Sequence, residues 1–325
     1  DEGRVSELLE PADAMLRSQI YPPVVGLSRL VGWSPTPLSI RDARRKAASL
    51  RDALGGSTPV TPASQRVVGP QHSVVLDGVR VARGGRTVLD AIDLTVSRGS
   101  VTTLMGRNGA GKSTLLGVIA AQHRLAAGRV RLGAAPTDPH ATPARERVRT
   151  VGLVPQQPEL LLYADSVAAE CTAADSDFGA SAGTCRALLD RISGGIDPDT
   201  HPRDLSEGQR LELALAVILS GSPEVLLLDE PTRGLDYGAK RRLGEVLSGL
   251  AAAGTTVVLA THDVELAAEI ADRVVILADG EVVTDGPARE VLSSSPAFAP
   301  QVTKVLLPQT WLTVAEVAGA LARIA

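Results

Sequence analysis

Residues 106–114 read GRNGAGKST, between the β-branched run VTTLM (101–105) and the helix-forming run STLLGVIA (113–120). Few folds accept that arrangement. A strand must end in a glycine-rich turn that feeds straight into a helix, so the chain is expected to be α/β. Gly106, Gly109 and Gly111 let the backbone of this loop, with Asn108 in it, close around phosphate oxygens. Loop amides and the amino end of the following helix then point at negative charge. Lys112 is placed to reach the β and γ phosphates, Ser113 to ligate Mg²⁺, and Thr114 to hold phosphate through hydroxyl and amide.

Three further runs, EVLLLD (224–229), TTVVLA (255–260) and RVVILAD (273–279), are nearly continuously apolar. They read as central strands covered by helices on both faces. VVLDGVRVA (74–82) and TVLDAIDLTV (87–96) alternate instead, with Gly84-Gly85 between them, and predict an antiparallel pair. Asp229 closes its strand at the carboxyl edge of the sheet, where nucleotides bind in such folds. It is a candidate for supporting Mg²⁺ through water or Ser113. Glu230 follows directly and is placed to polarise an attacking water. His262, just after TTVVLA, can hydrogen-bond a γ-phosphate. His72, His123, His140 and His201 lack metal-ligand spacing and are given no chemistry. VRTVGLVPQQPE (148–159) ends a strand at a Gln-Gln-Pro turn. A helix runs from Leu205 through RLELALAVILS (210–220), and 161–200 holds helical stretches broken near 179–184. REVLSS (289–294) and TVAEVAGALARIA (313–325) are amphipathic helices.

A formal charge of −4 and only 2% aromatic residues argue against a nucleic-acid partner. Cys171 and Cys185 are too few for a disulfide framework and have no metal-knuckle spacing. They read as ordinary semi-buried residues of a reducing compartment. No apolar run reaches the ~18–20 residues needed to span a bilayer. Any membrane role is therefore expected to come through a partner.

GRNGAGKST, Gln156, LSEGQ (205–209), LLLDEP (226–231), GLD (234–236) and His262 jointly resemble the ATP-binding cassette ATPases, over roughly residues 74–292. The resemblance implies a P-loop NTPase cassette with a central, mostly parallel sheet, an antiparallel β subdomain and a helical signature subdomain. It implies ATP and Mg²⁺ as cofactors, with Glu230, His262 and Gln156 catalytic and Ser113, Asp229 and Gln156 around the metal. Two cassettes of the family sandwich two ATPs. Ser206, Gly208 and Gln209 would contact the ATP of the opposite cassette, and Gly234, Leu235 and Asp236 would cross the interface. Gln156 would sense the γ-phosphate and touch the membrane partner. Glu207 stands where the family usually has a second glycine, with Ser206 and Gly208 retained. The aromatic residue that commonly stacks on adenine is missing. Arg83 is the nearest match, and stacking on the base or solvation at the surface both remain open for it.

Searching for repeats exposes an internal echo. DEGRV (1–5), PADAML (11–16), YPPVV (21–25) and PLSIRDARR (37–45) return in order as ADGEV (278–282), PAREVL (287–292), FAPQV (298–302) and WLTVAEVAG (311–319). With no Met at its start, the chain is expected to be a piece of a tandem protein. Residues 1–55 would be the carboxyl-terminal tail of a preceding cassette and 56–73 a linker. Residues 74–292 would be the ATPase domain and 293–325 a short helical extension. VPQQPELLLYADSV (154–167) is similar to the glutamine loop of energy-coupling-factor transporter ATPases, which power uptake of vitamins or transition-metal ions. That likeness implies a second cassette, a transmembrane coupling protein and a substrate-binding membrane component as partners, at the cytoplasmic face of the membrane. The same motifs serve other cassette importers and exporters. The YPP, WSPTP and GSTPVTP segments and the negative charge argue against a ribosome-associated tandem protein. Intact Asp229, Glu230 and His262 argue against a non-catalytic regulatory module.

Overall fold

A computed structural model describes residues 9–18, 20–59, 71–193 and 195–324. The opening residues of the echo, DEGRV, and most of the expected linker lie outside the described residues.

The three apolar runs and VTTLM form the centre of a six-stranded sheet. In chain order its strands are β3 (Val101–Met105), β5 (Val151–Val154), β6 (Val225–Asp229), β7 (Thr256–Ala260), β8 (Arg273–Ala278) and β9 (Glu281–Pro287). Their spatial order is β5-β6-β7-β3-β8-β9. The first five strands in this order run parallel, and β9 adds an antiparallel edge. Every residue of β3, β6 and β7 is buried, as expected for strands covered on both faces. A separate antiparallel sheet holds β1 (His72–Arg83), β2 (Arg86–Ser97) and β4 (Ala127–Leu132), in the order β2-β1-β4. It packs against α5 (Lys112–Ile119) through Leu76, Ile92, Leu94, Leu115 and Ile119. On the opposite face, α9 (Glu207–Ser220), α10 (Tyr237–Ala252) and α11 (Val264–Ile270) contribute Leu211, Leu215, Leu243, Leu247 and Leu266. A helical unit of α7 (Val167–Phe178), α8 (Thr184–Ile192) and α9 closes around Val167, Leu189, Leu213 and both buried cysteines.

The sequence pattern left β4, β9, α10 and α11 unassigned. β4 and β9 are mostly exposed along their length, so neither shows an apolar face in the sequence. α10 and α11 begin at Asp236 and Asp263, whose carboxylates accept hydrogen bonds from helix amides. Those caps were legible, but Asp236 had been read only as part of the GLD segment and Asp263 had been given no role.

The two ends of the chain share a core. Helices α2 (Pro23–Val31), α3 (Ile40–Lys46) and α4 (Ala48–Leu54) pack on α13 (Gln301–Leu306) and α14 (Val314–Ile324). Val25, Leu27, Leu54, Val302, Leu306 and Trp311 form its centre. Arg51 Nη1 donates to the Val305 carbonyl at 3.1 Å, and Gln309 Nε2 donates to the Arg51 carbonyl at 2.8 Å. Trp311 is 1% exposed. Trp311→Ala is expected to destabilise this cluster by about 3–5 kcal/mol, the usual cost of an aromatic-to-alanine cavity. Trp33, packed on the same cluster, reports the transition by its fluorescence in a urea titration.

Candidate functional site

The loop after β3 turns into α5 with Gly111 as the left-handed residue before its first turn, φ 105°. Lys112 opens that helix and is 6% exposed. Its Nζ donates to the Gly106 carbonyl at 2.8 Å and the Arg107 carbonyl at 3.4 Å, and lies 3.6 Å from Glu230 Oε1. An ammonium desolvated this far needs acceptors, and here the loop's own carbonyls and one carboxylate supply them. These are the bonds that a phosphate would replace.

Asp229 ends β6, in register with Ala260 at the end of β7. Burial pushes its carboxyl above the ordinary range. A hydrogen bond from Ser113 pulls it back, the neighbouring Glu230 charge raises it, and Lys112 lowers it. Its Oδ1 is buried without a hydrogen-bond partner. An orphaned carboxylate oxygen beside a serine hydroxyl fits Mg²⁺, which binds through few protein oxygens and keeps water and substrate phosphates as its other ligands. Among the described residues no group of three or more His, Cys, Asp or Glu is placed to hold a metal ion by itself.

Glu230 has φ 49°, the left-handed region that costs a non-glycine residue about 1–2 kcal/mol. The conformation is held from both sides. Glu230 N donates to the Ala260 carbonyl at 2.8 Å, and Oε2 accepts from His262 Nδ1 at 2.7 Å and from His262 N at 3.3 Å. Because a carboxylate oxygen only accepts, the imidazole proton sits on Nδ1. Lys112, Glu230 and His262 thus form one row from the loop to the residue two positions beyond β7.

Other candidates fall elsewhere. Gln156 lies exposed two residues beyond β5. Ser206 and Gln209 make a capping box at the start of α9: Gln209 N donates to Ser206 Oγ at 3.3 Å, and Ser206 N donates to Gln209 Oε1 at 3.0 Å. Among the described residues, no hydrogen bond or ion pair joins Ser206, Gly208 or Gln209 to the Lys112–Glu230–His262 row. The Glu207 carboxylate fills the space that a Cβ on Gly234 would occupy, so the departure from glycine joins the start of α9 to the GLD segment. Arg83 Nη2 lies 2.7 and 3.0 Å from the two ring nitrogens of His123. Burial first, and the Arg83 charge second, lower the affinity of His123 for a proton. Sequence reasoning gave His123 no role and missed this pair, because the two residues are forty positions apart and meet only through the fold. Thr232 and Thr261, whose hydroxyls lie 3.3 Å apart in the interior, were missed as well. They brace the turns that carry Glu230 and His262.

A family model described as "ABC transporter" matches residues 89–233. A putative ABC transporter ATP-binding protein of Streptomyces avermitilis is 55% identical over 96% of this chain and 60% of its own length. The chain thus spans less than two thirds of that relative. The cobalt import ATP-binding protein CbiO of Rhodobacter capsulatus is 40% identical over 66% of this chain and 79% of its own. Among solved structures, cbiO1 of Clostridium perfringens, described as part of the ABC transporter complex cbiONQ, superposes with a TM-score of 0.60. It is 28% identical and covers 68% of this chain and 90% of its own.

Proposed function

The chain belongs to the ATP-binding cassette family of transporter ATPases, and on that premise we propose that it binds ATP with Mg²⁺ and hydrolyses it to drive import through an energy-coupling-factor-type transporter. The observation that carries the reading is the row Lys112–Glu230–His262 beside the Ser113–Asp229 pair. In nucleotide binding, the Lys112 ammonium exchanges the Gly106 and Arg107 carbonyls for phosphate oxygens. Ser113 and Asp229 would hold Mg²⁺, which would supply positive charge to neutralise the phosphates. Glu230, released from Lys112, accepts a proton from the attacking water, while His262 keeps the carboxylate oriented through Nδ1. Catalysis is mainly positioning and charge stabilisation.

Ser206, Gly208 and Gln209 complete a site on a second cassette, with Gly234, Leu235 and Asp236 crossing between the two. Gln156 reports nucleotide state to a transmembrane coupling protein at the cytoplasmic face, next to a substrate-binding membrane component. The CbiO relative, named for cobalt import, supports a transition-metal cargo, and the glutamine-loop likeness extends the proposal to nickel and vitamins. A tandem layout, with residues 1–55 as the tail of a preceding cassette, is supported by the shared core of the two chain ends. It is also supported by the matched caps of the echo: Asp42 N donates to Ser39 Oγ before α3, and Glu316 N donates to Thr313 Oγ1 before α14.

Affinity purification of the full-length protein from its native membrane, followed by mass spectrometry, tests the assignment. The expected companions are one coupling protein and one or more small membrane binding proteins. A conventional pair of transmembrane domains, or ribosomes, would overturn the importer type and leave the ATPase reading standing.

A further inference from the structure

Two buried carboxylates make α7 the hub of the helical unit. Glu170 Oε2 accepts from Tyr163 N and from Ala164 N, each at 2.8 Å. Asp175 accepts from Gly183 N at 2.7 Å and from Cys185 N at 2.8 Å. α8 has no side-chain cap at its own start, so Asp175 supplies that cap from α7 and holds the first turn of α8 in place. Cys171 stands one turn before Asp175, and residues at that spacing share a helix face. The bracket therefore sets Cys185 over Cys171, and the two thiols meet within hydrogen-bond reach.

The pair is asymmetric. The Cys171 thiol donates to the Cys185 sulfur. That bond lowers the Cys185 thiol toward ionisation, with Ser220 adding to the fall and burial and the Asp175 and Glu170 charges opposing it. The same bond, and then burial, pushes Cys171 up, so its proton stays. Oxidation follows thiolate character and needs a second thiol close by to end as a disulfide. Cys171 is 3% exposed and Cys185 0%, yet the turn 181–183 that leads into Cys185 is exposed. Gly179 and Gly183 flank it with φ 63° and 85°. Local opening of that turn admits an oxidant close to water in size without unfolding the cassette.

We propose that Cys171 and Cys185 are a peroxide-oxidisable pair that closes into a disulfide between α7 and α8. Hydrogen peroxide is the oxidant. The Cys185 sulfur attacks one peroxide oxygen, the O–O bond breaks, and the departing hydroxide takes the Cys185 proton and leaves as water. Cys185 is then a sulfenic acid. The Cys171 sulfur attacks the Cys185 sulfur, the S–S bond forms, the S–O bond breaks, and hydroxide leaves as water with the Cys171 proton. Two thiols lose two electrons, and one peroxide becomes two waters.

The new bond draws the sulfurs from hydrogen-bond separation to about 2.05 Å, so α7 shifts against α8. Glu170, the residue before Cys171, carries that shift to Tyr163 and Ala164, in the segment beyond Gln156. Oxidation is therefore expected to lower ATP turnover severalfold. Only this consequence rests on the ATPase reading; the thiol chemistry does not.

The test exposes the folded full-length protein to hydrogen peroxide, then unfolds it and alkylates it with iodoacetamide. Trypsin leaves both cysteines on one fragment, 150–186, so mass spectrometry reads them together. The fragment is expected to be lighter by two hydrogens and to carry no alkyl group, while dithiothreitol before alkylation restores both sites. In Cys171→Ala, dimedone is expected to trap a sulfenic acid at Cys185. In Cys185→Ala, Cys171 is expected to remain a free thiol. Two alkylated cysteines in the peroxide-treated parent would overturn the proposal, and trapping at Cys171 in place of Cys185 would overturn the order of attack. ATP turnover is followed in the same samples, with a fall that dithiothreitol reverses as the expected result. A disulfide that leaves turnover unchanged breaks the link through Glu170, whereas absence of turnover in the reduced protein counts against the ATPase reading alone.

Discussion

Glu230→Gln is expected to bind ATP as the parent does and to turn it over about 10²–10⁴-fold more slowly, the span associated with loss of a general base. The amide keeps the shape of the side chain. Its oxygen can still accept from His262 Nδ1, as Glu230 Oε2 does at 2.7 Å, so the backbone at φ 49° keeps its brace. What disappears is the charge and the site for the water's proton. Losing the charge also frees Lys112, which stands 3.6 Å from Oε1, so affinity for phosphate is not expected to fall. With hydrolysis blocked and binding intact, the ATP-bound pair of cassettes should accumulate. Steady-state turnover, nucleotide affinity and sedimentation with and without ATP check the three parts. Turnover close to that of the parent would remove Glu230 from the catalytic step.

Gly106→Ala is expected to abolish nucleotide binding, while Gly109→Ala in the same loop weakens it only modestly. A Cβ on Gly106 would lie 2.2 Å from the Leu277 carbonyl oxygen, with φ 143°. That obstacle is backbone near the end of β8, so relief requires the loop to move away from the sheet. The Gly106 carbonyl is also an anchor of Lys112, and moving it disperses the cationic end of the site. Gly109, with φ 85°, has nothing within 4 Å of its ideal Cβ. Alanine there costs about 1–2 kcal/mol of conformational strain and no collision. Titration of each variant with fluorescent ATP checks the contrast. Equal losses would show that flexibility of the loop, and not the close approach to β8, makes glycine necessary at 106.

The fold was readable wherever one residue pattern had one physical solution. VLLLD, TVVLA and VTTLM admit little besides strands covered on both faces, and GRNGAGKST admits little besides the turn that joins such a strand to a helix. Asp229, Glu230 and His262 were named because they stand at or just beyond the carboxyl ends of two of these strands, and Lys112 because it follows the glycine-rich loop after the third; the parallel arrangement gathers them. Arg83 and His123 were beyond reach, since neither shows a periodicity that would bring them together. β9 was hidden for another reason. An exposed edge strand needs no apolar face, so EVVTDGP carries no signal of its pairing with β8. Glu207 was visible as a departure, but its approach to Gly234 depends on a turn whose path the sequence does not reveal.

The shared core of the two chain ends also bears on the order in which the molecule can be made. Arg51 finds its acceptor 254 residues further on, at Val305, and Val24 its acceptor 277 residues further on, at Gln301. A ribosome extends a chain by about 5–20 residues per second, so the earlier of two paired segments waits for the later one. For some tens of seconds α2, α3 and α4 therefore exist with Val25, Leu27 and Leu54 uncovered, while the cassette behind them emerges and closes around its own sheet. Only when Trp311 leaves the exit tunnel does this earlier segment acquire its last partner. Nascent chains stalled before and after that residue would differ little in the cassette and sharply in the protease resistance of the amino-terminal helices.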